Sequence, residues 1–488
     1  MRGYGTVRRS TWLNVLLSSF LLGLIISQRI PLGNFWIAVL ACSLIPPLAY
    51  FCRKLSLLSI IILGLVLGTF RGSVFSHSLL PYRTLAGRQV SVRAMALDDA
   101  TYGRQSQITF DAGQIGLLSP GRISLPGSIK VGGYGEPMIY RGDRVVITGK
   151  LFPTRGSRQA SMGYAQIQRV AIGSSRIDAI RSRFVASIQS VLPAPLGSFG
   201  LGLLVGQRST LPVSLNDQLS AVGLTHIVAV SGYNLTILIQ FVRRLMQKRS
   251  KYQATVITFG IIGLFMLVTG SSASIVRAAM VSGLSLWAWY YGRALRPSVL
   301  ILLVAALSAG WFPVYIWSDI GWYLSFLAFS GILIVAPLIT RRIYSSRPPH
   351  AITQLCIETL SAQLMTVPII MFIFGRLSTI SFVSNILIVP LVPLAMGLSF
   401  VAGLAGMLVP SFAGWFAFPA RMILTYMIDA VRYFAKIPAS SVSLSLTTTQ
   451  VIVSYCLIVG ILLLWWRKTL TNDNITGKTR GAKHEWSQ

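Results

Sequence analysis

The stretch LTHIVAVSGYNLTILIQFV, residues 224–242, sets a His, a Ser-Gly pair and an Asn inside an otherwise apolar run. A hydroxyl beside an imidazole is the starting point for nucleophilic catalysis, because the His can take the Ser proton. The spacing here argues against it. His226 and Ser231 are five residues apart, which on a regular helix separates them by about 140°. A serine hydrolase would need a His from another helix. The remaining ones, His77, His350 and His484, fall at the edges of apolar segments or in the polar tail. His226 and Asn234, eight apart, lie nearer one face. Hydrocarbon offers no water to satisfy such groups, so this face should look into the protein or onto an aqueous path. Gly232 lets another backbone approach. A plain polar contact between helices is the alternative.

More polar side chains interrupt later apolar runs. Arg277 lies in GSSASIVRAAMVSG, and Asp319, Gly321 and Ser325 in SDIGWYLSFLAFSG. Glu358 and Gln363 lie in ETLSAQLMTVPIIMFIFG, Asn385 in FVSNILIVPLVP, and Asp429 and Arg432 are an i,i+3 pair. Arg277 is the sharpest marker. It either pairs with a carboxylate such as Asp319 or Glu358, or it lines a route for an anion. Four scattered His and four Cys without CxxC spacing suggest neither a metal site nor a disulfide framework, and no cofactor is expected.

The elements that must position these residues are membrane helices. Of the 488 residues, 53% are hydrophobic and 11% charged, where a soluble chain would carry about a quarter charged. Apolar runs predict a polytopic α-helical membrane protein of about twelve transmembrane helices. Three come first, near 12–27, 34–50 and 55–69. The rest lie near 227–241, 255–268, 274–291, 299–316, 321–339, 357–374, 382–407, 415–433 and 451–466. Pro390 and Pro393 predict a broken or kinked helix. Basic clusters at the N-terminus, Arg53/Lys54, 243–251, 341–347 and Arg467/Lys468 fit cytoplasmic loops.

The long hydrophilic region between the third and fourth spans reads as β from about 83 to 172. In RQVSVRAMALDD, Val90, Val92, Ala94 and Ala96 share one face, and four further short strands follow between Gly, Pro and Ser turns. Five short strands predict a small all-β barrel, OB-like among the options. Between Ser73 and Ser190 there are 15 Lys and Arg against 6 Asp and Glu. That excess, placed outside the membrane, suggests a polyanionic partner. Residues 176–193 form an amphipathic helix expected at the membrane surface.

These blocks, in this order, resemble the ComEC family of competence DNA-uptake channels. GLTHIVAVSGYNL is similar to that family's GLxHLLAxSGLHV, and LLVGQRSTLP precedes it as in the family. SASIVRAAMV, DIGWYLSFLAFSGI and LMTVPIIMFIFGRLSTISFVSNILIVPLV follow. The resemblance is close over about 203–392 and looser before it. It implies a channel that passes single-stranded DNA into the cytoplasm, with His226, Ser231, Gly232, Asn234, Arg277, Asp319, Gly321, Ser325 and Asn385 lining or bracing the path. Asn234 stands where the family has a second His. Many members carry a metallo-β-lactamase-like domain that degrades the other strand; no HxHxDH cluster occurs here, so that activity is not expected of this chain.

The resulting expectation is a non-enzymatic, multi-pass protein of the bacterial plasma or inner membrane. Its domains would be 1–72 (helices), 73–175 (basic OB-like domain outside), 176–223 (amphipathic or re-entrant connector), 224–467 (channel) and 468–488 (cytoplasmic tail). Its partners would be single-stranded DNA, membrane lipid, and a separate DNA receptor, motor and nuclease. An exporter of another solute or anionic polymer is the main alternative.

Overall fold

The computed structural model describes residues 9–29, 56–102 and 107–475, apart from 120, 122, 136–138, 154–157, 174–175, 208–209, 229–234, 236–237, 240–241, 244, 270–271, 294, 345–348 and 439. The expected second span, and Ser231, Gly232 and Asn234, lie outside the described residues.

Helices α1 (Arg9–Ile26) and α2 (Ser56–Ser78) pack backbone to backbone. Gly64, Gly68 and Gly72 recur every fourth residue along α2. A Cβ added at Gly68 would sit 2.1 Å from the Phe20 carbonyl oxygen, and one at Gly23 would sit 2.4 Å from that of Leu65. Small residues at this spacing let helices associate by close contact where lipid supplies no hydrophobic drive. Helix α2 continues past the expected end at 69, carrying Arg71, whose Nη2 donates to the Trp311 carbonyl at 3.0 Å.

A short helix, α3 (Leu80–Thr84), leads into the β domain. Its strands are β1 (Gln89–Ala96), β2 (Thr101–Tyr102), β3 (Ile108–Ser119), β4 (Ser124–Gly135), β5 (Arg144–Pro153) and β6 (Ala160–Ala171). The order β1-β5-β6-β4-β3 returns to β1 through a β3–β1 pairing, so the sheet closes on itself, with β2 hung on β3. The β4–β6 pair is parallel and the other pairs are antiparallel. Inward positions alternate as the pleat demands: Val90, Val92, Ala94 and Ala96 are all buried, with Ile129, Val131 and Ile147 at the centre of the same core. Closure brings β4 onto β6 so tightly that only glycine fits at 133; a Cβ there would lie 1.9 Å from the Ala165 carbonyl oxygen.

The helical part follows: α4 (Arg176–Val191), α5 (Leu196–Val205), α6 (Val213–Ala221), α7 (Thr225–Val228), α8 (Lys251–Thr269), α9 (Ala273–Tyr290), α10 (Pro297–Trp311), α11 (Val314–Ser318), α12 (Ile320–Ser330), α13 (Ala336–Tyr344), α14 (Ala351–Phe374), α15 (Ser381–Ile388), α16 (Val392–Leu408), α17 (Ala413–Ala435) and α18 (Thr448–Ile475). Two short strands, β7 (Arg376–Ser378) and β8 (Ser441–Ser443), pair between them. Among the described residues, five helical stretches are long and apolar enough to cross a membrane: Leu57–Ser78, Ile320–Tyr344, Ile352–Phe374, Ser381–Leu408 and Thr448–Trp465. Four shorter apolar helices accompany them. This is a membrane protein with a small closed β domain.

Among the described residues, two large helical cores form beside a smaller one. One joins α4–α7 to α15–α17 around Phe199, Leu219 and Leu424. The other joins α1 to α10–α12 around Leu24, Val304 and Trp322. The kink expected at Pro390 is a 3₁₀ turn, Val389–Leu391, between α15 and α16. The apolar stripe of α4 is not left on a surface along its length. Phe184 and Ile188 press on Gly403 of α16, and Ser187 donates to the Gly403 carbonyl at 2.7 Å. Only the N-terminal end of the stripe stays out, with Ile180 61% exposed.

Candidate functional site

Four of the residues singled out in the sequence converge on one point. Arg277 projects from the second turn of α9 and is buried. Its Nη2 donates to the Gly321 carbonyl at 3.0 Å and to Ser325 Oγ at 2.9 Å, and its Nη1 lies 3.6 Å from Asp319 Oδ2. Asp319 precedes α12 in extended conformation and caps it, its Oδ1 accepting from the Gly321 backbone N–H at 2.9 Å. A carboxylate there satisfies an orphan donor and meets the positive end of the helix. Ser325 sits one turn on and donates to the Gly321 carbonyl at 2.8 Å. Gly321 is small for a reason: a Cβ would lie 3.2 Å from Asp319 Oδ1 and 3.8 Å from Arg277 Nη2.

The geometry therefore chooses between the two carboxylates. Asp319 is the partner of Arg277, while Glu358 accepts from Gln354 Nε2 at 2.7 Å on its own helix. The choice leaves Arg277 incompletely served. Its Nε and Nη1 are buried without a hydrogen-bond acceptor, Nη1 having only the more distant Asp319 carboxylate beside it.

The β domain rests against this region. Arg141 Nη1 donates to the Leu267 carbonyl near the end of α8 at 3.2 Å. Arg181 of α4 grips Asp99 with both Nη groups, at 2.9 and 2.7 Å. Arg158 meets Asp111 at 2.7 Å. Burial opposes the charge on Arg158, but the adjacent Asp111 carboxylate outweighs it and holds the guanidinium above its ordinary pKa. Asp98 is pushed up, first by burial and then by Asp111. Tyr315 of α11 lies within electrostatic reach of Arg158 and Asp111 on one side and of Arg277 and Asp319 on the other. The Arg141 and Arg181 contacts between barrel and helices are ones that no spacing rule in the sequence could disclose.

His226 and Asn385 belong to a second polar knot. Gly223 turns the chain with φ +75°, and a Cβ there would meet Ser381 Cβ at 2.6 Å. His226 Nδ1 lies 3.1 Å from the Gly223 carbonyl oxygen and so carries the proton in that contact. Asn385 Nδ2 donates to the Ser381 carbonyl at 2.6 Å, Ser384 Oγ to that of Val222 at 2.8 Å, and Gln363 Nε2 to Ser381 Oγ at 3.1 Å. Sequence reasoning missed Ser384 and Gly223. A serine next to Asn385 in an apolar run was the signal for the first, and the glycine between an amphipathic helix and the His for the second. Just past Asn234, Leu235 and Ile239 pack with Ile262 and with Ala278, the neighbour of Arg277. The 224–242 segment and the Arg277 helix thus share one core. Among the described residues no group of His, Cys, Asp and Glu could hold a metal ion.

Residues 203–469 match the family model described as Competence protein. A stretch of 223 residues is 27% identical to ComE operon protein 3 of Bacillus subtilis (strain 168), covering 44% of this chain and 27% of that protein's length. The chain therefore spans about a quarter of this relative. No solved structure matches. The family match takes in both polar knots, from the Gly223 turn through Arg277 and Asp319 to Asn385, and on that evidence the chain belongs to the ComEC family of competence proteins.

Proposed function

We propose that this chain is a multi-pass channel of the bacterial plasma or inner membrane that passes single-stranded DNA into the cytoplasm during DNA uptake. The observation that carries the reading is Arg277: a buried cation with two guanidinium nitrogens that lack a hydrogen-bond acceptor, set in an apolar bundle that the family match spans, next to a helix reached by the β domain. Phosphate is an anion that such a cation attracts. Ionisable residues at membrane depth are expensive and are kept for pathways or pairing.

The rest of the reading follows from this. About twelve crossings are assigned, 224–467 forming the channel and 1–72 the leading helices. The β domain, 73–175, is assigned to the outer side as an OB-like barrel, supported by its five closed strands and Greek-key order. Residues 176–223 connect the two, and 468–488 form the cytoplasmic tail. His226, Ser231, Gly232, Asn234 and Asn385 line or brace the path with the Arg277 group, and none does covalent chemistry. The chain lies in lipid and works with a separate DNA receptor, motor and nuclease.

The test is a deletion strain complemented with this chain alone. The reading predicts recovery of DNase-protected radiolabelled DNA in the cytoplasm. Normal membrane abundance of the chain without recovery, while export of an anionic polymer is restored, would replace it with the exporter reading.

A further inference from the structure

We infer that the barrel takes single-stranded DNA on the outer face of β1, β5 and β6, and not on the face of β3 and β4; this rests on the DNA-uptake reading above. OB folds usually bind oligonucleotides on the face of their second and third barrel strands and on the loops joining strands one to two and four to five. In this barrel those are β3, β4 and the segments 97–107 and 154–159. That site is of mixed charge, with Asp98, Asp99 and Asp111 against Arg104, Lys130, Arg155 and Arg158. Asp98 and Asp99 lie on the first loop and Asp111 on β3, and the Arg158 cation of the second loop is already spent on Asp111. Asp99 of the first loop is held by Arg181 of α4 at 2.9 and 2.7 Å, so this side is turned towards the helices. A phosphate chain laid there would meet carboxylates.

The opposite side carries cations without carboxylates. Outward positions pair across the strands as Gln89 with Lys150, Ser91 with Thr148 and Arg93 with Val146, then Thr148 with Gln166 and Val146 with Gln168. Arg88, Arg93, Arg144 and Lys150 are all exposed, and the outward positions of these three strands include no carboxylate. The same face carries a stacking group. Tyr164 is 86% exposed and sits at the β5–β6 register shift with φ +51°, in the left-handed region that an aromatic residue seldom occupies. Such a bulge aims the ring outward instead of leaving it in the pleat. Cations spaced along a sheet, interleaved with amides and one presented aromatic ring, are what a single strand needs: charge for its phosphates and a platform for a base.

The experiment uses the full chain in phosphatidylcholine nanodiscs and a fluorescein-labelled thymidine oligomer, read by anisotropy over a salt series. Arg93→Gln with Lys150→Gln should weaken binding about tenfold or more and flatten the salt slope by about 0.7 per cation removed. Tyr164→Gly, which suits the positive φ and so keeps the backbone, should lose about tenfold, while Tyr164→Phe should stay near wild type. Lys130→Gln with Tyr134→Ala on β4 should change affinity less than about twofold. If instead the β4 pair weakens binding and the β1/β5 pair does not, the face is wrong and the DNA reading of the barrel survives. An unchanged oligomer affinity in Arg93→Gln/Lys150→Gln, with lost binding to phosphatidylglycerol vesicles, makes the face a lipid contact and overturns the inference. A wild-type chain that binds no oligomer at any salt overturns both the barrel's DNA reading and the inference.

Discussion

Arg181, largely covered, and Arg277, buried, each face an aspartate, and they are held in different ways. Asp99 takes both Nη groups of Arg181 in a two-pronged pair, with side chains 11% and 7% exposed. Arg277 gives its short hydrogen bonds to neutral oxygens, while Asp319 spends one oxygen on capping α12 and stands 3.6 Å away. The first arrangement is a staple that takes up both Nη groups and leaves only Nε without an acceptor, joining α4 to the barrel's first loop. The second is a joint: it braces α9 against α12 and leaves hydrogen-bonding capacity on the cation. A residue that must meet a passing anion is better built the second way, because a two-pronged carboxylate would compete with every phosphate.

The comparison breaks outright if the two regions do not lie on the sides assigned to them. With Cys42, Cys52, Cys356 and Cys456 replaced by Ser, single cysteines at Ser157 and Ser487 should label differently in intact cells. An impermeant thiol reagent is expected to modify the first and not the second. The opposite pattern would overturn the topology.

The next largest effect is at Arg277. Arg277→Gln leaves Asp319 without its cation, a loss of about 3–5 kcal/mol for a buried pair. Membrane abundance should fall, and Arg277→Lys should keep part of it. Adding Asp319→Asn removes the stranded charge, so the double variant should recover abundance but not DNA entry. Recovery of both would make Arg277 a brace and nothing more. Arg181→Gln, tested beside it, should lower abundance and recover entry together with abundance when paired with Asp99→Asn.

A smaller effect is expected from Ser325→Ala, which removes one neutral acceptor from Arg277 at about 1 kcal/mol. Thermal unfolding in detergent should register it as a modest drop in midpoint. A loss as large as that of Arg277→Gln would mean that Ser325 carries more than this one bond.

The smallest prediction concerns pH. Asp98 has a raised folded pKa, from burial and Asp111, so its ionisation disfavours the folded barrel. Stability is then highest below the ordinary carboxylate pKa, where both states are protonated, and falls as pH rises through the raised folded value. Asp98→Asn should raise the midpoint slightly at pH 7 and have no effect at pH 3. A destabilised Asp98→Asn protein at pH 7 would mean that the charge is needed.

How far the sequence reached depended on whether a feature was local. The alternation of Val90, Val92, Ala94 and Ala96 predicted β1 because a pleat has period two, and the Pro390 break was predicted because proline ends a helix by its own geometry. The α1–α2 contact was equally local in origin, yet Gly64, Gly68 and Gly72 were passed over; their spacing of four was the available signal. The Arg277 site was half legible. Composition marked the cation and offered Asp319 and Glu358, but the choice between them rests on how α9 and α12 cross, which no spacing encodes. The placing of the barrel's carboxylates was hidden by its average. A net basic domain does not show which face lacks carboxylates until strand order separates Asp111 from Arg93 and Lys150.

The central claim is that DNA passes through the helical core, and crosslinking during uptake tests it most directly. A photoreactive benzoylphenylalanine would be placed at Asn234, in the polar stretch of the 224–242 sequence, or at Trp415, which is 82% exposed on the apolar exterior of α17. Strains that retain uptake would be fed end-labelled DNA and irradiated. The account predicts labelled DNA attached to the chain from position 234 and none from position 415. Undiminished DNA entry with no crosslink at 234, or with crosslinks at 415 alone, would contradict it.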